Sequence, residues 1–329
     1  MMKLGIIFGG KSYEHEISVI TAFQLKKKLE KEYELHMIYV SLEGKIYNAD
    51  KMKLKDFKFN HYKKLKKLKL HKWGLNVLVG AMHGENGEDG LAAAFAKIHN
   101  IKYFGCDLFA SSLCLDKYRT YLYLSNNGVK MVKTMYYTYE DYLKNKKIKY
   151  MPCIIKPLCG GSSIGISIAK TEEELDSKLN EAFSYSKEVI IEPYYEELLE
   201  FNLALNEKNF SQLEEIHKKD EIFSFENKYS DSFKVIHQSI IEHNRYDEFC
   251  KIARKVYNLI GAKGIIRLDF FMIDGVIYVN EVNTTPGALA MYLFEDFNEI
   301  FSESLKNCLA EEDKKYPNTH FLLKNNINK

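Results

Sequence analysis

The chain has 329 residues, enough for two or three domains, and its 46% hydrophobic and 28% charged residues are typical of a folded protein. A net charge of +2 gives no strong case for nucleic-acid binding, and the six cysteines show neither a CxxC pair nor a zinc-ligand spacing. No apolar run approaches the roughly 20 residues of a membrane span, so we expect a cytoplasmic protein with reduced thiols.

The N-terminal third alternates between strand and helix patterns. Strands are predicted at residues 4–8, 36–40, 76–82 and 101–104, and helices at 18–31 and 91–99. This alternation predicts a Rossmann-like parallel α/β domain, whose ligands lie beyond the carboxyl ends of the strands. The segment from Lys51 to Lys72 holds ten lysines and one aspartate, and we interpret it as a solvated surface insertion.

Two strand ends in this part carry candidate binding residues. Glu14 follows the first strand and is placed to receive a substrate ammonium; the alternative is a carboxylate that stabilises the start of a helix. His83 follows the third strand and is placed to hold a substrate carboxylate, although a lone histidine is more often structural.

One motif in this part is misleading. Residues 5–12, GIIFGGKS, satisfy the Walker A pattern letter for letter. In a phosphate-binding loop the strand precedes the first glycine, whereas here the residues between the glycines are themselves the strand. We therefore reject a P-loop, and the same turn also lacks the spacing of a dinucleotide fingerprint.

The middle of the chain contains a better phosphate loop. Strands are predicted at 153–157, 166–169 and 189–192, with a helix from 171 to about 185. Between the first two strands, Gly160-Gly161-Ser162-Ser163 brings backbone N–H groups and hydroxyls together, and Lys156 precedes them. Lys117, at a predicted helix start, would on its own be interpreted as a surface lysine.

The last part combines a polar loop, a helix and a hairpin. A strand at 201–205 is followed by the polar loop 218–233, which contains Lys228-Tyr229 and is of the kind that closes over a site. A helix at 247–260 precedes a hairpin formed by 264–271 and 276–282. The chain after Pro317 is polar, and we expect it to be frayed.

The hairpin carries the most informative residues. Asp269, Glu281 and Asn283 are hard oxygen ligands that suit Mg²⁺ completed by nucleotide phosphates, and Arg267 can hold an anion or an oxyanion. Charges inside apolar strands are costly unless they are used. A metal site therefore requires that these side chains share one face.

The register decides whether they do. A two-residue turn at Asp274-Gly275 would pair Ile273 with Val276 and turn Glu281 to the other face. A three-residue loop that includes Val276 pairs Asp269 with Glu281 and Arg267 with Asn283, and it places Phe271, Ile273, Ile277 and Val279 on the same face. We therefore predict the three-residue loop.

Taken together, the motifs resemble the D-alanine–D-alanine ligases of the ATP-grasp superfamily over nearly the whole chain. The matching segments are FGGKSxEHExS (8–18), HGxxGEDG (83–90), DK (116–117), KP (156–157), GSSxG (161–165), KYS (228–230), RxDF (267–270) and ExNTxPG (281–287). The implied fold is an N-terminal α/β domain (1–112) followed by a two-part ATP-grasp module of mixed α/β and α+β type (113–191 and 192–329).

The resemblance implies a role for each matched residue. Lys117, Lys156, Lys228 and the loop residues Gly161, Ser162 and Ser163 contact ATP, with Glu192 and Glu200 at its adenine and ribose. Asp269, Glu281 and Asn283 hold two Mg²⁺ or Mn²⁺ ions. Arg267 and the Gly287 N–H stabilise the oxyanion, Glu14 and His83 contact the first D-alanine, and Ser162 and Tyr229 join Glu14 when the loop closes. The implied partners are D-alanine and ATP, without nucleic acid or membrane, in a homodimer.

The chain departs from the family pattern at three places. Ala93 stands where a glutamine is usual, Tyr292 stands where a serine usually contacts the carboxylate of the second substrate, and the hinge segment 193–199 is atypical, which weakens Glu200. Tyr292 or Lys228 would take over the lost contact. A relative that joins D-alanine to D-lactate or D-serine, a non-catalytic nucleotide-binding regulator and a nucleic-acid-binding role through Lys51 to Lys72 stay open as alternatives, although Tyr229 favours the dipeptide former.

Overall fold

The computed structural model describes residues 1–58, 66–67, 73–144, 148–161, 163–216 and 243–312. The predictions for Ser162, Lys228 and Tyr229 fall outside these residues, as do those for the polar loop 218–233 and the chain after Pro317. Residues 59–65 and 68–72 of the lysine-rich segment 51–72 also fall outside the described residues.

The N-terminal part is a six-stranded sheet in the order β4-β3-β2-β1-β5-β6. β1 runs parallel to β2 and β5, and β5 runs parallel to β6, as the alternating pattern predicted. Two short strands, β3 and β4, extend the β2 edge in antiparallel fashion and were not predicted. The bounds are β1 Lys3–Gly9, α1 His15–Leu29, β2 Glu34–Val40, β3 Ile46–Asn48, α2 Leu54–Lys58, β4 Lys66–Lys67, β5 Val77–Gly80, α3 Leu91–Ile98, β6 Lys102–Phe104 and α4 Leu108–Leu115.

The central part is a four-stranded antiparallel sheet in the order β7-β10-β8-β9. One side is covered by a helix whose buried residues Leu175, Leu179 and Ala182 recur at three- and four-residue spacing. The bounds are α5 Lys117–Asn126, β7 Met135–Thr138, α6 Tyr139–Lys144, β8 Cys153–Pro157, β9 Ser167–Ala169, α7 Glu172–Tyr185 and β10 Glu188–Pro193.

The C-terminal part is a second four-stranded antiparallel sheet, in the order β12-β11-β13-β14. A long helix buries Phe249, Ala253 and Val256 against it. The bounds are β11 Leu199–Leu205, β12 Phe210–Ile216, α8 His243–Ile260, β13 Ile266–Ile273, β14 Val276–Asn283, a short 3₁₀ segment Gly287–Leu293 and α9 Phe297–Ala310.

The last helix returns to the first sheet. Phe297, Phe301 and Leu305 of α9 pack in the same buried cluster as Leu4 and Phe104. The N-terminal core therefore uses residues from both ends of the chain. The domain boundaries predicted at 112 and 191 stay predictions, and this packing joins the first predicted domain to the third, across both boundaries.

The predicted fold class is confirmed: a partly parallel α/β sheet is followed by two antiparallel sheets with their helices. Across the part of the chain that is described, no helix is long and apolar enough to cross a membrane. Ile6, Ile7 and Phe8 lie within β1, so the residues between the Walker-like glycines are strand, as the sequence predicted.

Gly9 ends β1 with a left-handed backbone, φ +91°, and a Cβ placed there would lie 2.1 Å from the carbonyl oxygen of Val40. Gly44 is also left-handed, φ +73°, but has open space around it. We expect Gly44→Ala to cost about 1 kcal/mol of unfolding free energy, the strain of a left-handed alanine. Gly9→Ala should cost at least twice as much, because the backbone it meets cannot move aside.

Urea unfolding followed by circular dichroism compares the two variants. Equal midpoints for Gly9→Ala and Gly44→Ala would show that the contact with Val40 does not constrain the turn after β1.

Candidate functional site

A cavity of about 930 Å³ lies where the three sheets meet. Every predicted site residue within the described part of the chain lines it, including residues nearly three hundred positions apart. These residues are Glu14, His83, Lys117, Lys156, Gly161, Ser163, Glu192, Glu200, Arg267, Asp269, Glu281, Asn283, Gly287 and Tyr292.

The hairpin β13–β14 forms one wall, and its register is the one that the metal hypothesis required. Arg267 pairs with Asn283, and Asp269 pairs with Glu281. The predicted three-residue loop is wrong, however, because Ile273 pairs with Val276 around a two-residue turn. Asp274 and Gly275 have φ of 49° and 71°, the left-handed pair of a type I′ turn.

A β-bulge reconciles the short turn with the required pairing. The register shifts between Asp269 and Phe270, so that Asn280 is the extra residue on β14. Asn280 and Glu281 consequently both line the cavity. The bulge also corrects the predicted face of Ile277 and Val279, which pack in the core instead of continuing the polar face.

The four strands of this sheet carry a row of polar residues across the cavity wall. Glu214 on β12 pairs with Asn202 on β11, Asn202 pairs with Asp269 on β13, and Asp269 pairs with Glu281 on β14. All four residues line the cavity. Three carboxylates in one row repel one another unless cations lie between them.

Two cations neutralise this row. Arg267 holds Asp269 with two hydrogen bonds, Nε to Oδ1 at 2.6 Å and Nη2 to Oδ2 at 2.9 Å. Lys117 Nζ lies 2.9 Å from Glu281 Oε1. Burial disfavours both charged forms, but the paired carboxylates outweigh it and raise the pKa of Lys117 and of Arg267 above their usual values. Both side chains therefore stay cationic.

A second buried lysine lies farther along the cavity. Lys156 Nζ is 2.7 Å from Glu192 Oε2, and both side chains are almost fully buried. It also donates to Asn280 Oδ1 at 3.3 Å and lies 6.0 Å from the centroid of the Phe271 ring. Glu192 Oε1 accepts a further hydrogen bond from Thr134 at 3.1 Å. The bulge thus directs Asn280 to one lysine and Glu281 to the other.

The glycine loop closes the cavity against the N-terminal domain. Lys117 Nζ donates to the Gly160 carbonyl at 2.5 Å, which ties the loop to the same lysine that holds Glu281. A Cβ at Gly161 would lie 2.8 Å from Glu14 Oε2, and one at Gly84 would lie 2.9 Å from the same atom. The Glu14 carboxylate is therefore held closely between two glycines, one from each domain.

His83 is buried and engaged at both ring nitrogens. Nε2 lies 2.9 Å from Thr21 Oγ1, and Nδ1 lies 3.4 Å from Glu88 Oε1. Burial raises the pKa of the Glu88 carboxyl, and the hydrogen bond with His83 opposes this rise. Thr21 also accepts the Ala288 N–H at 3.2 Å. Because both ring nitrogens of His83 have a partner, a direct hydrogen bond from His83 to a substrate requires Thr21 or Glu88 to move.

The far end of the cavity holds Tyr292 and Gly287. The Tyr292 hydroxyl donates to Glu214 Oε2 at 3.2 Å. No atom lies within 4 Å of where a Cβ of Gly287 would stand, so this backbone is open to the cavity. Ala288, Leu289 and Ala290 have φ between 49° and 53°, a run of left-handed residues that L side chains rarely adopt.

The residues present fit a magnesium–nucleotide site. Within the described residues no cluster of three or more histidine, cysteine, aspartate or glutamate side chains could hold a metal ion. Asp269, Glu281 and the Asn283 amide are a small oxygen set, which suits Mg²⁺, an ion that keeps waters and takes phosphate ligands. Two buried lysines and the glycine loop supply the positive groups for those phosphates.

Sequence reasoning missed Thr21, Glu88, Asn202, Glu214 and Asn280, which also line the cavity. Glu214 gave no such signal, because β12, FSQLEEI, has only three apolar residues among its seven, whereas β13, IRLDFFMI, is mostly apolar around Asp269. Asn280 could not be found, because its orientation depends on the bulge. Thr21 lies on the buried side of α1, where a threonine is usually a packing residue.

Comparison with known proteins gives one family. A model of the D-ala D-ala ligase N-terminus matches residues 3–106, and a model of the D-ala D-ala ligase C-terminus matches residues 124–300. A D-alanine--D-alanine ligase of Campylobacter lari is 39% identical over 338 residues, with 95% of each chain covered. One of Helicobacter pylori is 35% identical over 357 residues, with both chains fully covered.

A solved structure agrees with these relatives. The crystal structure of D-Alanine-D-Alanine Ligase from Helicobacter pylori superposes with a TM-score of 0.79 at 30% identity, covering 96% of this chain and 100% of that one. Because the two family models together match more than half of the chain and the relatives match nearly all of it, the chain belongs to the D-alanine–D-alanine ligase family.

Proposed function

We propose that this protein joins two D-alanines to D-alanyl-D-alanine, a peptidoglycan precursor, with ATP converted to ADP and phosphate. The single observation that carries the proposal is the meeting of two kinds of binding group in one cavity. The glycine loop and Lys117 suit phosphates, and Gly161 packs directly against Glu14, which suits an amino-acid ammonium. An amino acid whose ammonium binds Glu14 would have its carboxylate beside the phosphate loop.

The nucleotide occupies the end of the cavity that the central sheet forms. Lys117 and Lys156 take the phosphates together with Gly161, Ser162 and Ser163, and Lys228 joins them from the loop. Glu192, on the last strand of the central part, and Glu200, on the first strand of the C-terminal part, take the adenine and the ribose. When ATP enters, Lys156 leaves its ion pair with Glu192 and pairs with the phosphates instead. The phosphates then compensate the charge of the buried lysine, which is never left without an anion.

Asp269, Glu281 and Asn283 hold two Mg²⁺ or Mn²⁺ ions. Bound there, the metal neutralises the phosphate charge during phosphoryl transfer. In the described structure the two carboxylates are paired with Arg267 and Lys117. The charge of the two carboxylates is therefore compensated in this structure, and a bound metal would supply the same compensation.

The first D-alanine binds with its ammonium at Glu14 and with His83 beside its carboxylate. A carboxylate oxygen attacks the γ-phosphorus and ADP leaves, which gives an acyl phosphate. The neutral amine of the second D-alanine attacks the carbonyl carbon, and phosphate leaves with one of the former carboxylate oxygens and with the proton that the nitrogen loses. Arg267 and the Gly287 N–H stabilise the oxyanion that forms between these two events. Ser162 and Tyr229 join Glu14 as the loop closes and shields the acyl phosphate from water.

D-lactate or D-serine as the second substrate is not favoured. The curated relatives that match nearly the whole chain carry the name D-alanine--D-alanine ligase. The departure at Tyr292 concerns the affinity for the second substrate and leaves the reaction class unchanged.

We also propose a cytoplasmic homodimer. All six cysteines are free, as expected in a reducing compartment. On the N-terminal domain, Leu91 and Ile98 of α3 and Phe109 of α4 are exposed large apolar side chains, and Ile98 and Phe109 are 79% and 80% exposed. α3 and α4 are neighbours, since a Cβ at Gly90 would meet Leu108. A second copy of this surface would cover these side chains.

The activity is tested by ADP release from purified protein with MgATP. We expect turnover that depends on D-alanine, yields the dipeptide by mass spectrometry, is not supported by L-alanine and is abolished by EDTA. Addition of D-lactate or D-serine should not raise the rate. Turnover that requires either of them would move the assignment to a mixed ligase, and a protein that binds ATP without releasing ADP under any condition would be a nucleotide-binding regulator.

Replacing Arg267 by alanine should lower kcat on the order of 10²–10³, the usual effect of losing one oxyanion donor. The half-saturating concentration of ATP should change much less, because Arg267 does not lie at the nucleotide end. Arg267→Lys is the matched control: it keeps the charge next to Asp269 but lacks the planar fork, so we expect an intermediate kcat. A near-normal kcat for Arg267→Ala would remove Arg267 from the mechanism.

A further inference from the structure

Thr21 is a buried residue of the cavity to which the proposed mechanism gives no role. It lies in the middle of α1, is only 2% exposed and lines the cavity. Its hydroxyl has two partners that are 62 and 267 positions away in the chain. His83 Nε2 lies 2.9 Å from Oγ1, and the Ala288 N–H donates to Oγ1 at 3.2 Å. A helical threonine commonly bonds the carbonyl of its own preceding turn, whereas this hydroxyl bonds two groups outside its helix.

The segment that begins at Ala288 is strained. Ala288, Leu289 and Ala290 are left-handed, with φ of 49° to 53° and ψ of 29° to 35°. Such a backbone persists only where the surrounding contacts hold it. The Leu289 side chain packs in the N-terminal core, and its N–H donates to the Pro286 carbonyl at 2.8 Å. Thr21 adds a hydrogen bond to the N–H of the first strained residue, so α1 holds this segment by a polar contact as well as by packing.

These contacts determine the orientation of Gly287. The Pro286 carbonyl and the Gly287 N–H belong to one planar peptide unit, so the bond from Leu289 to that carbonyl also fixes the direction of the Gly287 N–H. The Ala288 N–H belongs to the next peptide unit, and Thr21 fixes that one. Gly287 has open space where a Cβ would stand, and a glycine without such contacts has wide rotational freedom. The two held peptide units therefore restrict Gly287 from both sides.

The other partner of the hydroxyl is the buried ring of His83. Its Nδ1 lies 3.4 Å from Glu88 Oε1. Facing an ionised Glu88, Nδ1 carries the ring proton, and Nε2 is then the acceptor for the Thr21 hydroxyl. The hydroxyl consequently uses its one proton on His83 and a lone pair on the Ala288 N–H. A methyl group can make neither bond, so the hydroxyl is what connects the histidine to the strained segment.

We propose that Thr21 is a positioning residue, whose hydroxyl holds the Gly287 N–H in place relative to the first D-alanine beside His83. This assignment rests on the proposed function, in which the Gly287 N–H stabilises the oxyanion. That oxyanion forms when the second amine attacks the acyl phosphate, and it does not form during the earlier transfer of the phosphoryl group. Thr21 therefore acts mainly on the peptide-forming step.

The test is Thr21→Val, which replaces the hydroxyl by a methyl group of similar shape. We expect kcat at saturating D-alanine to fall about tenfold or more, up to the effect on the order of 10²–10³ that follows the loss of a whole oxyanion donor. The concentration of ATP that half-saturates the protein should stay within about twofold. Thr21→Ser keeps the hydroxyl and should retain most of the wild-type kcat. Thr21→Ala, which also lacks the hydroxyl and favours a helix, repeats the test if the valine variant does not fold.

Positional isotope exchange shows which step is slowed. ATP with ¹⁸O in the nonbridging oxygens of its β-phosphate is turned over with saturating D-alanine. When the acyl phosphate returns its phosphoryl group to an ADP whose β-phosphate has rotated, label enters the bridge between the β- and γ-phosphates. The ratio of this exchange to the dipeptide formed measures how often the acyl phosphate reverts instead of being attacked. In Thr21→Val the ratio should rise by at least the factor by which kcat falls, and in Thr21→Ser it should stay near the wild-type value.

Ser304→Ala is the matched control. Ser304 lies on α9, is only 1% exposed and is not among the residues that line the cavity. Its hydroxyl also makes one bond as donor and one as acceptor, to Glu207 Oε2 at 2.9 Å and from Asn206 Nδ2 at 3.0 Å. The control therefore removes the same kind of buried hydroxyl elsewhere in the fold. It should leave the ratio of exchange to dipeptide unchanged, whatever it does to stability.

The outcomes separate the two levels of the account. If the wild type ligates D-alanine and Thr21→Val leaves kcat and the exchange ratio unchanged, the role of Thr21 is overturned and the proposed function stands. A lower kcat with an unchanged ratio would also overturn it, because less active protein slows both steps equally. A lower ratio would place the effect of Thr21 on phosphoryl transfer, against the proposal. A wild type without D-alanine-dependent turnover would overturn the proposed function and this assignment together.

Discussion

The site depends on the compensation of carboxylates that lie side by side in a buried sheet. Glu214, Asp269 and Glu281 belong to one cross-strand row, and their mutual repulsion would oppose folding of β11 to β14 if no cation were present. Arg267, from the same sheet, and Lys117, from the start of α5, supply that compensation. In the proposed mechanism the same two cations bind the nucleotide phosphates and the oxyanion, so folding and catalysis would use one set of charges.

The contacts that compensate these carboxylates also connect the three parts of the chain. Lys117 contacts both Glu281 of the C-terminal sheet and the Gly160 carbonyl of the central loop. The next residue of that loop, Gly161, packs against Glu14 from the N-terminal domain. Thr21 of α1 then connects His83 to the backbone after Gly287. In the proposed mechanism each substrate is contacted by groups from more than one part, so a shift of any part would change the distance between donor, acceptor and phosphate.

Much of this arrangement could be predicted from the sequence, because the signals were local. The predicted strands at 4–8, 36–40, 76–82 and 101–104 are present, and the spacing of Arg267, Asp269, Glu281 and Asn283 correctly indicated a shared polar face. The turn and the bulge could not be predicted, since either a longer loop or a bulge gives the same pairing. Glu214 and Thr21 could not be assigned to the site from the sequence, because their partners are far away in the chain. Glu214 contacts Tyr292 and Thr21 contacts His83, and no local sequence pattern connects the members of either pair.

The central claim is that the cavity joins the carboxylate of one amino acid to the γ-phosphate before the peptide bond forms. Turnover with D-alanine labelled with ¹⁸O in both carboxylate oxygens tests it directly, with the released phosphate analysed by mass spectrometry. Since phosphate leaves with a former carboxylate oxygen, the account predicts one ¹⁸O atom in each phosphate. Phosphate without ¹⁸O, at a normal rate of dipeptide formation, would contradict an acyl phosphate and with it the assignment of the phosphate end and the amino-acid end to one reaction.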